Sequence, residues 1–356
     1  MRLLITTQIV DRTDPRLGFF HRWIEEFARY CEHVEVICLY EGEHSFPANV
    51  RVHSLRKEHA SATSFQYASR FYKKLFHVHD SYDAVFVHMN PEYMILGGLW
   101  WRLTKKRSAL WYLHKSVNMK LRLATFLTNV VLTASKESFR LPSNKVRIVG
   151  HGIASEKFAY HEKTPRDTNT DALSVVSIGR ISRAKGLSVV LEAAALLAKR
   201  RPVTLTIIGE ASSSDDRNYR AELMARAEAL RTTLTVEFLG PKTNDAIATL
   251  LPTYDFFLHA STGTGSVDKA ALEALFCGVP VVSSSEAFAD LLTPAGLSVS
   301  ATKNATEEST AHQMAASVEV FLARVDQDAV RKELRETVVE RYSLATLIPR
   351  ILATLA

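Results

Sequence analysis

In the stretch SIGRISRAKG, residues 177–186, an apolar run ends at Gly179, and Arg180 and Lys185 follow before a long helical pattern starts. A guanidinium offers a forked contact and an ammonium a point charge, so this pair suits a diphosphate beside a strand end. The alternative is a pair of solvated loop cations, the usual fate of such residues. It is not a Walker loop, since the glycine spacing and the Ser/Thr after lysine are absent. A second stretch, HASTGTGSVDKAALEALFCGVPVV, residues 259–282, runs from an apolar strand through glycines into a helix. Its glycines let the backbone approach a ligand, and the amides of Gly265, Ser266 and Val267 at the helix start can face phosphate. Ser266 reads as the N-cap and Asp268 falls in the first turn. Glu273 lies among Ala270, Ala271, Leu272, Ala274 and Leu275. A carboxylate in such apolar company needs a partner, and a ribose diol would serve.

Other strand ends carry lesser signals. Gly209 follows an apolar run, and Gly240 and Lys242 lie in the loop FLGPK at another strand end. In the N-terminal half, Gly18 opens a helical pattern that carries His21 and Arg22. His88 and His114 each follow an apolar strand, so strand-end geometry turns both towards a ligand. Phe20, Trp23, Ile24 and Phe27 already explain the first helix, and its His21 and Arg22 then read as surface residues.

Positioning these residues takes alternating strands and helices. Strands are expected at residues 3–9, 34–40, 50–55, 84–88, 109–113, 130–134 and 146–149, with helices at 18–30, 64–77 and 92–105. The segment YHEKTPRDTNTDA, residues 160–172, is polar and aperiodic and reads as a linker. Beyond it strands are expected at 174–178, 203–208, 235–239, 256–259 and 279–283. Helices are expected at 186–199, 218–230, 245–250 and 267–276, then through the glycine-free tail from 305. Asp215 and Asp216 fall in a polar Ser-rich loop on this reading. Near-continuous apolar strands in βαβ order call for parallel sheets covered on both faces. The fold class is α/β, with a domain at 1–160, a linker at 161–172, a domain at 173–340, and a C-terminal helix at 341–356 packing back on the first domain.

A chain of 356 residues exceeds one ordinary core, which agrees with two domains. The cysteines Cys31, Cys38 and Cys277 sit in apolar runs without zinc spacing and read as reduced core residues of a cytoplasmic protein. MRLLITTQIV reads as a first strand rather than a signal peptide, and the longest apolar run, residues 93–101, cannot span a bilayer. The net charge of +6 comes without any nucleic-acid-binding signature, so no nucleic-acid partner is expected. Basic, aromatic helices (Phe71, Tyr72, Lys73, Lys74 and Phe76, then Trp100, Trp101, Arg102 and Lys105 to Arg107) could instead lie on an anionic membrane, at its cytosolic face, or pack into a core.

The segment EALFCGVPVV resembles the end of the Glu-x7-Glu motif of retaining glycosyltransferases of family 4, and Arg180 with Lys185 resembles the family's "GR…KG" pair. NKVRIVGHGIASEKF, residues 144–158, is similar to the family's interdomain element, with His151 where asparagine is usual. The resemblance covers about residues 130–290. It implies the GT-B fold, two doubly wound domains facing each other across a cleft. It also implies transfer of a hexose-type sugar from a UDP- or GDP-sugar, with retention, to a glycan or lipid-linked acceptor in envelope glycan, lipopolysaccharide or glycolipid assembly. Arg180 and Lys185 would then stabilise the departing diphosphate, Glu273 would hold the ribose, Gly240 and Lys242 would sit near the base, His114 would orient the sugar, and His21 and His88 would lie on the acceptor side. No metal or cofactor is required. The first glutamate of the motif falls on Gly265, within a TGSxDK variant, which leaves Gly265, Ser266 and Asp268 to meet the sugar hydroxyls. The competing readings are an epimerase of the same fold and a non-catalytic nucleotide-sugar-binding or peripheral membrane protein.

Overall fold

The computed structural model describes residues 1–59, 62–114, 116–162, 172–261, 267–299 and 305–356. Gly265, Ser266 and most of the expected linker lie outside the described residues. The chain forms two compact units, Met1–Ala154 with Tyr342–Ala356, and Ser155–Arg341.

The first unit contains β1 (Arg2–Val10), α1 (Phe20–Tyr30), β2 (His33–Glu41), β3 (Val50–Ser54), α2 (Ser64–His77) and β4 (Ala84–His88). It continues with α3 (Pro91–Leu103), β5 (Arg107–Trp111), α4 (Met119–Leu127), β6 (Val130–Thr133) and β7 (Val146–Ile148). Its seven strands are parallel, in the order β3-β2-β1-β4-β5-β6-β7. Strands β1 and β4 are buried on both faces, as a helix-covered parallel sheet demands. α1 presents Phe20, Trp23, Ile24 and Phe27 at helical spacing to one core cluster. Phe71 and Trp101 are buried in the other, where Trp101 donates its ring N–H to the Tyr82 hydroxyl (3.1 Å).

The second unit contains β8 (Leu173–Ile178), α5 (Leu187–Ala198), β9 (Val203–Ile208), α6 (Ser214–Ala229), β10 (Thr235–Gly240) and α7 (Asn244–Leu250). β11 (Phe256–His259), α8 (Lys269–Phe276), β12 (Val281–Ser283), α9 (Ala289–Leu292), α10 (Glu307–Leu322) and α11 (Gln327–Tyr342) complete it. Its strands are also parallel, in the order β10-β9-β8-β11-β12. The last helix, α12 (Leu344–Leu355), inserts Leu344, Leu347, Ile348, Ile351 and Leu355 beside α1 in the first unit's core. Each such side chain contributes about 1.5–3 kcal/mol by leaving water.

Several elements start elsewhere than the sequence pattern predicts. α6 begins at Ser214 rather than 218, because Ser213 and Asp216 form a reciprocal capping box. Asp215 and Asp216 therefore sit in a first helical turn, not in a loop. α8 begins at Lys269 rather than 267, with Asp268 as N-cap in place of Ser266. β5 ends at Trp111, three residues before His114. The cysteines are free and buried, which pushes their thiols well above the ordinary range.

Candidate functional site

In the second unit, β8 pairs with β9 on one side and β11 on the other, so the strand order reverses between β8 and β11. The carboxyl ends of the strands at such a reversal are where open α/β sheets take ligands. Two glycines draw the loops tightly over this edge. Gly209 follows β9 with φ +148°, and a Cβ there would lie 1.9 Å from the Gly179 carbonyl oxygen. Gly186 ends the turn after β8 with φ +58°, and its Cβ would lie 2.3 Å from the Ala260 carbonyl oxygen. No other residue could hold either position. The Ser261 hydroxyl, donating to the Ala184 carbonyl (3.1 Å), ties the same two loops together.

Lys185 hydrogen-bonds through Nζ to Asp268 Oδ2, joining the loop after β8 to the start of α8. Asp268 uses its other oxygen to cap α8, accepting from the Ala270 N–H (3.0 Å). Behind it, His259 Nε2 lies 3.5 Å from Oδ2, and His259 Nδ1 is 2.9 Å from the Ser283 hydroxyl. Burial is the strongest influence on Asp268 and raises its pKa, but Lys185 and His259 together outweigh it, so the carboxyl stays ionised far below the usual range. A line Ser283–His259–Asp268–Lys185 thus crosses from β12 to the loop after β8. It fixes one ammonium where a ligand on the strand ends would meet it.

Arg180 projects from the same loop and is mostly exposed, with Nε 3.8 Å from Asp216 Oδ2. Its donors remain largely open to a ligand. Arg183 is engaged elsewhere, on Glu222 (2.7 Å) and over the Tyr219 ring. Val267 is buried beside the cap. Glu273 is 4% exposed, one helical turn into α8. Its Oε1 accepts from Asn244 Nδ2 (2.9 Å) and pairs with Lys269 Nζ (3.0 Å). The carboxylate that needed a partner finds two within its own unit, Lys269 on the same helix and Asn244 of α7. Gly240 ends β10, and its carbonyl accepts from the Gly209 N–H (3.0 Å), while Lys242 is exposed two residues on.

Asn244, Lys269, His259 and Ser283 went unassigned in the sequence. His259 alone carried a usable signal, a histidine closing an apolar strand. Asn244 and Ser283 reach the site only through tertiary packing.

The first unit reverses strand order between β1 and β4. His88 closes β4 there, 2% exposed, with Nδ1 3.1 Å from the Thr7 hydroxyl and its ring stacked on Phe20 at 3.8 Å. Burial, helped by nearby His151, holds its pKa down to about 3. Gly18 precedes α1 where a Cβ would press on the Asp14 carbonyl oxygen at 2.6 Å. His21 is buried rather than on the surface, stacked on Phe46 and accepting from the Ser45 N–H (3.2 Å). Burial lowers its pKa despite neighbouring Glu25. Arg22 is exposed and paired with Glu25. His114 is exposed, edge-on to Tyr112. Among the described residues no three His, Cys, Asp or Glu converge on a metal site.

The family-model match falls on the second unit, which holds the β8–β11 strand ends. Residues 172–323 match the family model of Glycosyl transferases group 1. A D-inositol 3-phosphate glycosyltransferase of Pseudarthrobacter chlorophenolicus is 33% identical over 174 residues, 45% of this chain and 40% of that protein. One of the same name from Paenarthrobacter aurescens is 28% identical over 137 residues, 36% of this chain and 31% of that protein. The chain thus spans well under half the length of these relatives. The crystal structure of Anabaena HepE in complex with UDP and glucose superposes with a TM-score of 0.71 at 18% identity, covering 100% of this chain and 99% of that one. Both units are Rossmann-like parallel-sheet domains, as in GT-B glycosyltransferases. No described helix is long and apolar enough to cross a membrane.

Proposed function

We propose that the protein is a glycosyltransferase using a nucleotide diphosphate sugar, with the donor diphosphate at the carboxyl ends of β8 and β11. The observation that carries this reading is Lys185, held by Asp268 at a strand-order reversal within the segment that matches Glycosyl transferases group 1. HepE, whose fold this chain shares, forms a complex with UDP and glucose, which supports the reading.

In the proposed reaction the bond between the sugar's anomeric carbon and the diphosphate oxygen breaks. A bond from that carbon to an acceptor hydroxyl forms on the same face, with retention, and the hydroxyl proton passes to the departing diphosphate. Negative charge gathers on the leaving group, so Arg180, Lys185 and the amides at the start of α8 act where charge develops, which is usually the largest catalytic contribution. Glu273 exchanges its Asn244 or Lys269 contact for a ribose hydroxyl. Gly240 and Lys242 flank the base, and His114 orients the sugar. Two cations supply the charge compensation, so the reading calls for no metal. The sugar is a hexose and the acceptor a glycan or lipid-linked glycan in envelope assembly. A bound ligand raises the melting temperature with affinity and concentration. A thermal-shift panel of UDP, GDP, ADP and dTDP with their sugars should give one responding nucleotide family. A flat response to every nucleotide contradicts the proposal.

A further inference from the structure

We infer that the outer face of α3 and α4 docks the protein on an anionic lipid bilayer. Surface helices normally turn a polar stripe to water. α3 buries Tyr93, Met94, Gly97, Gly98 and Trp101, yet its opposite face carries Leu99, 60% exposed, and Leu103, 71% exposed. α4 repeats the pattern: Leu121, Ala124 and Leu127 are inside, while Met119, Leu123 and Phe126 are 77%, 46% and 65% exposed. The exposed residues recur at i, i+4 and i+7, so each set forms one stripe. Arg102 of α3 lies over the Phe126 ring of α4 at 5.3 Å, which joins the stripes into one surface. Phe76 of α2, half-exposed and edge-on to Trp100 at 5.0 Å, extends it. A contiguous apolar face of this kind on a water-soluble protein marks an interaction site.

Charge selects the occupant. α2 and α4 contain no acidic residue, and the one carboxylate of α3, Glu92, is paired with Lys120. Exposed Lys73, Arg102, Lys105 and Arg122 are interleaved with the apolar side chains. Beyond Phe126 the positive charge continues. Lys145 donates to the Thr125, Phe126 and Thr128 carbonyls and, with Arg107 and Arg147, lines a cavity of about 350 Å³ that has no acidic residue in its wall. Long basic side chains rising from an apolar floor fit acyl chains below and phosphate headgroups around the rim. Of the residues the sequence singled out, Lys73, Phe76, Arg102 and Lys105 belong to this surface, whereas Phe71 and Trp101 face inward.

Vesicle co-sedimentation of the full chain tests this apart from any catalytic reading, because it needs neither donor nor acceptor. Wild-type protein should pellet with vesicles of phosphatidylglycerol and phosphatidylcholine in equal parts, stay in solution with phosphatidylcholine alone, and be released by high salt. Leu103→Glu and Phe126→Glu, both at exposed positions, should each lower partitioning by about tenfold or more with an unchanged melting temperature. Wild type failing to pellet at low salt, or either variant pelleting like wild type, overturns the inference. So does a dimer in analytical ultracentrifugation that Leu103→Glu dissolves while vesicles bind nothing, since the face would then belong to a second copy.

Discussion

Lys185, Asp268 and Glu273 show how single residues divide between holding a fold and meeting a ligand. Asp268 caps α8, anchors Lys185 and leans on His259, so three elements depend on one carboxylate. Its residue type and neighbourhood were readable in VDKAALEA, but its role as N-cap was not. Ser266 is an equally good capping residue two positions earlier, and only the backbone path decides between them. Glu273 was legible as a buried carboxylate because its apolar neighbours spell an inward face. Its partner Asn244, 29 positions away, was not, since nothing local encodes that contact. If Glu273 releases a partner to hold a ribose, Glu273→Ala should weaken binding of the responding nucleotide by about 1.5–3 kcal/mol, the range for a charged hydrogen bond. Calorimetric titration measures this, and an unchanged affinity would assign Glu273 to the α7–α8 contact alone.

At the scale of elements, the strand order was plain in the sequence from its short apolar runs bounded by turn residues, whereas the short helices α4 and α9 were not among those expected. The misplaced starts of α6 and α8 both trace to capping geometry, which depends on one or two side chains rather than on a period. The seam of β1, β4 and α1 carries a consequence for pH. His88 is held neutral between Thr7 and Phe20, with its pKa near 3 in the folded state against an ordinary value near 6.5. The unfolded chain therefore binds the extra proton first as pH falls. This contribution to stability is complete above about pH 6.5 and is lost progressively towards pH 3, at about 1.4 kcal/mol per pH unit. Urea melts between pH 7 and pH 5 should show a loss of about 2 kcal/mol from this group. His88→Phe should flatten that slope, and a slope unchanged in the variant would place the titrating group elsewhere.

For the whole molecule, the division into two parallel-sheet units was foreseeable from length and from the restart of strand–helix alternation. The face that α3 and α4 turn outward was not, because a helix apolar all round, such as PEYMILGGLWWRL, does not announce which side its sheet will cover. What unites the chain is a pair of sheets each reversing strand order once, and the second carries Lys185 at that reversal. We propose that this ammonium receives the diphosphate of a donor. Titrating the responding nucleoside diphosphate into wild type and a folded Lys185→Gln variant measures it directly. Affinity should be at least about tenfold weaker in the variant, as expected when a charged donor is removed from a phosphate; superimposable titrations would rule Lys185 out as the diphosphate's partner.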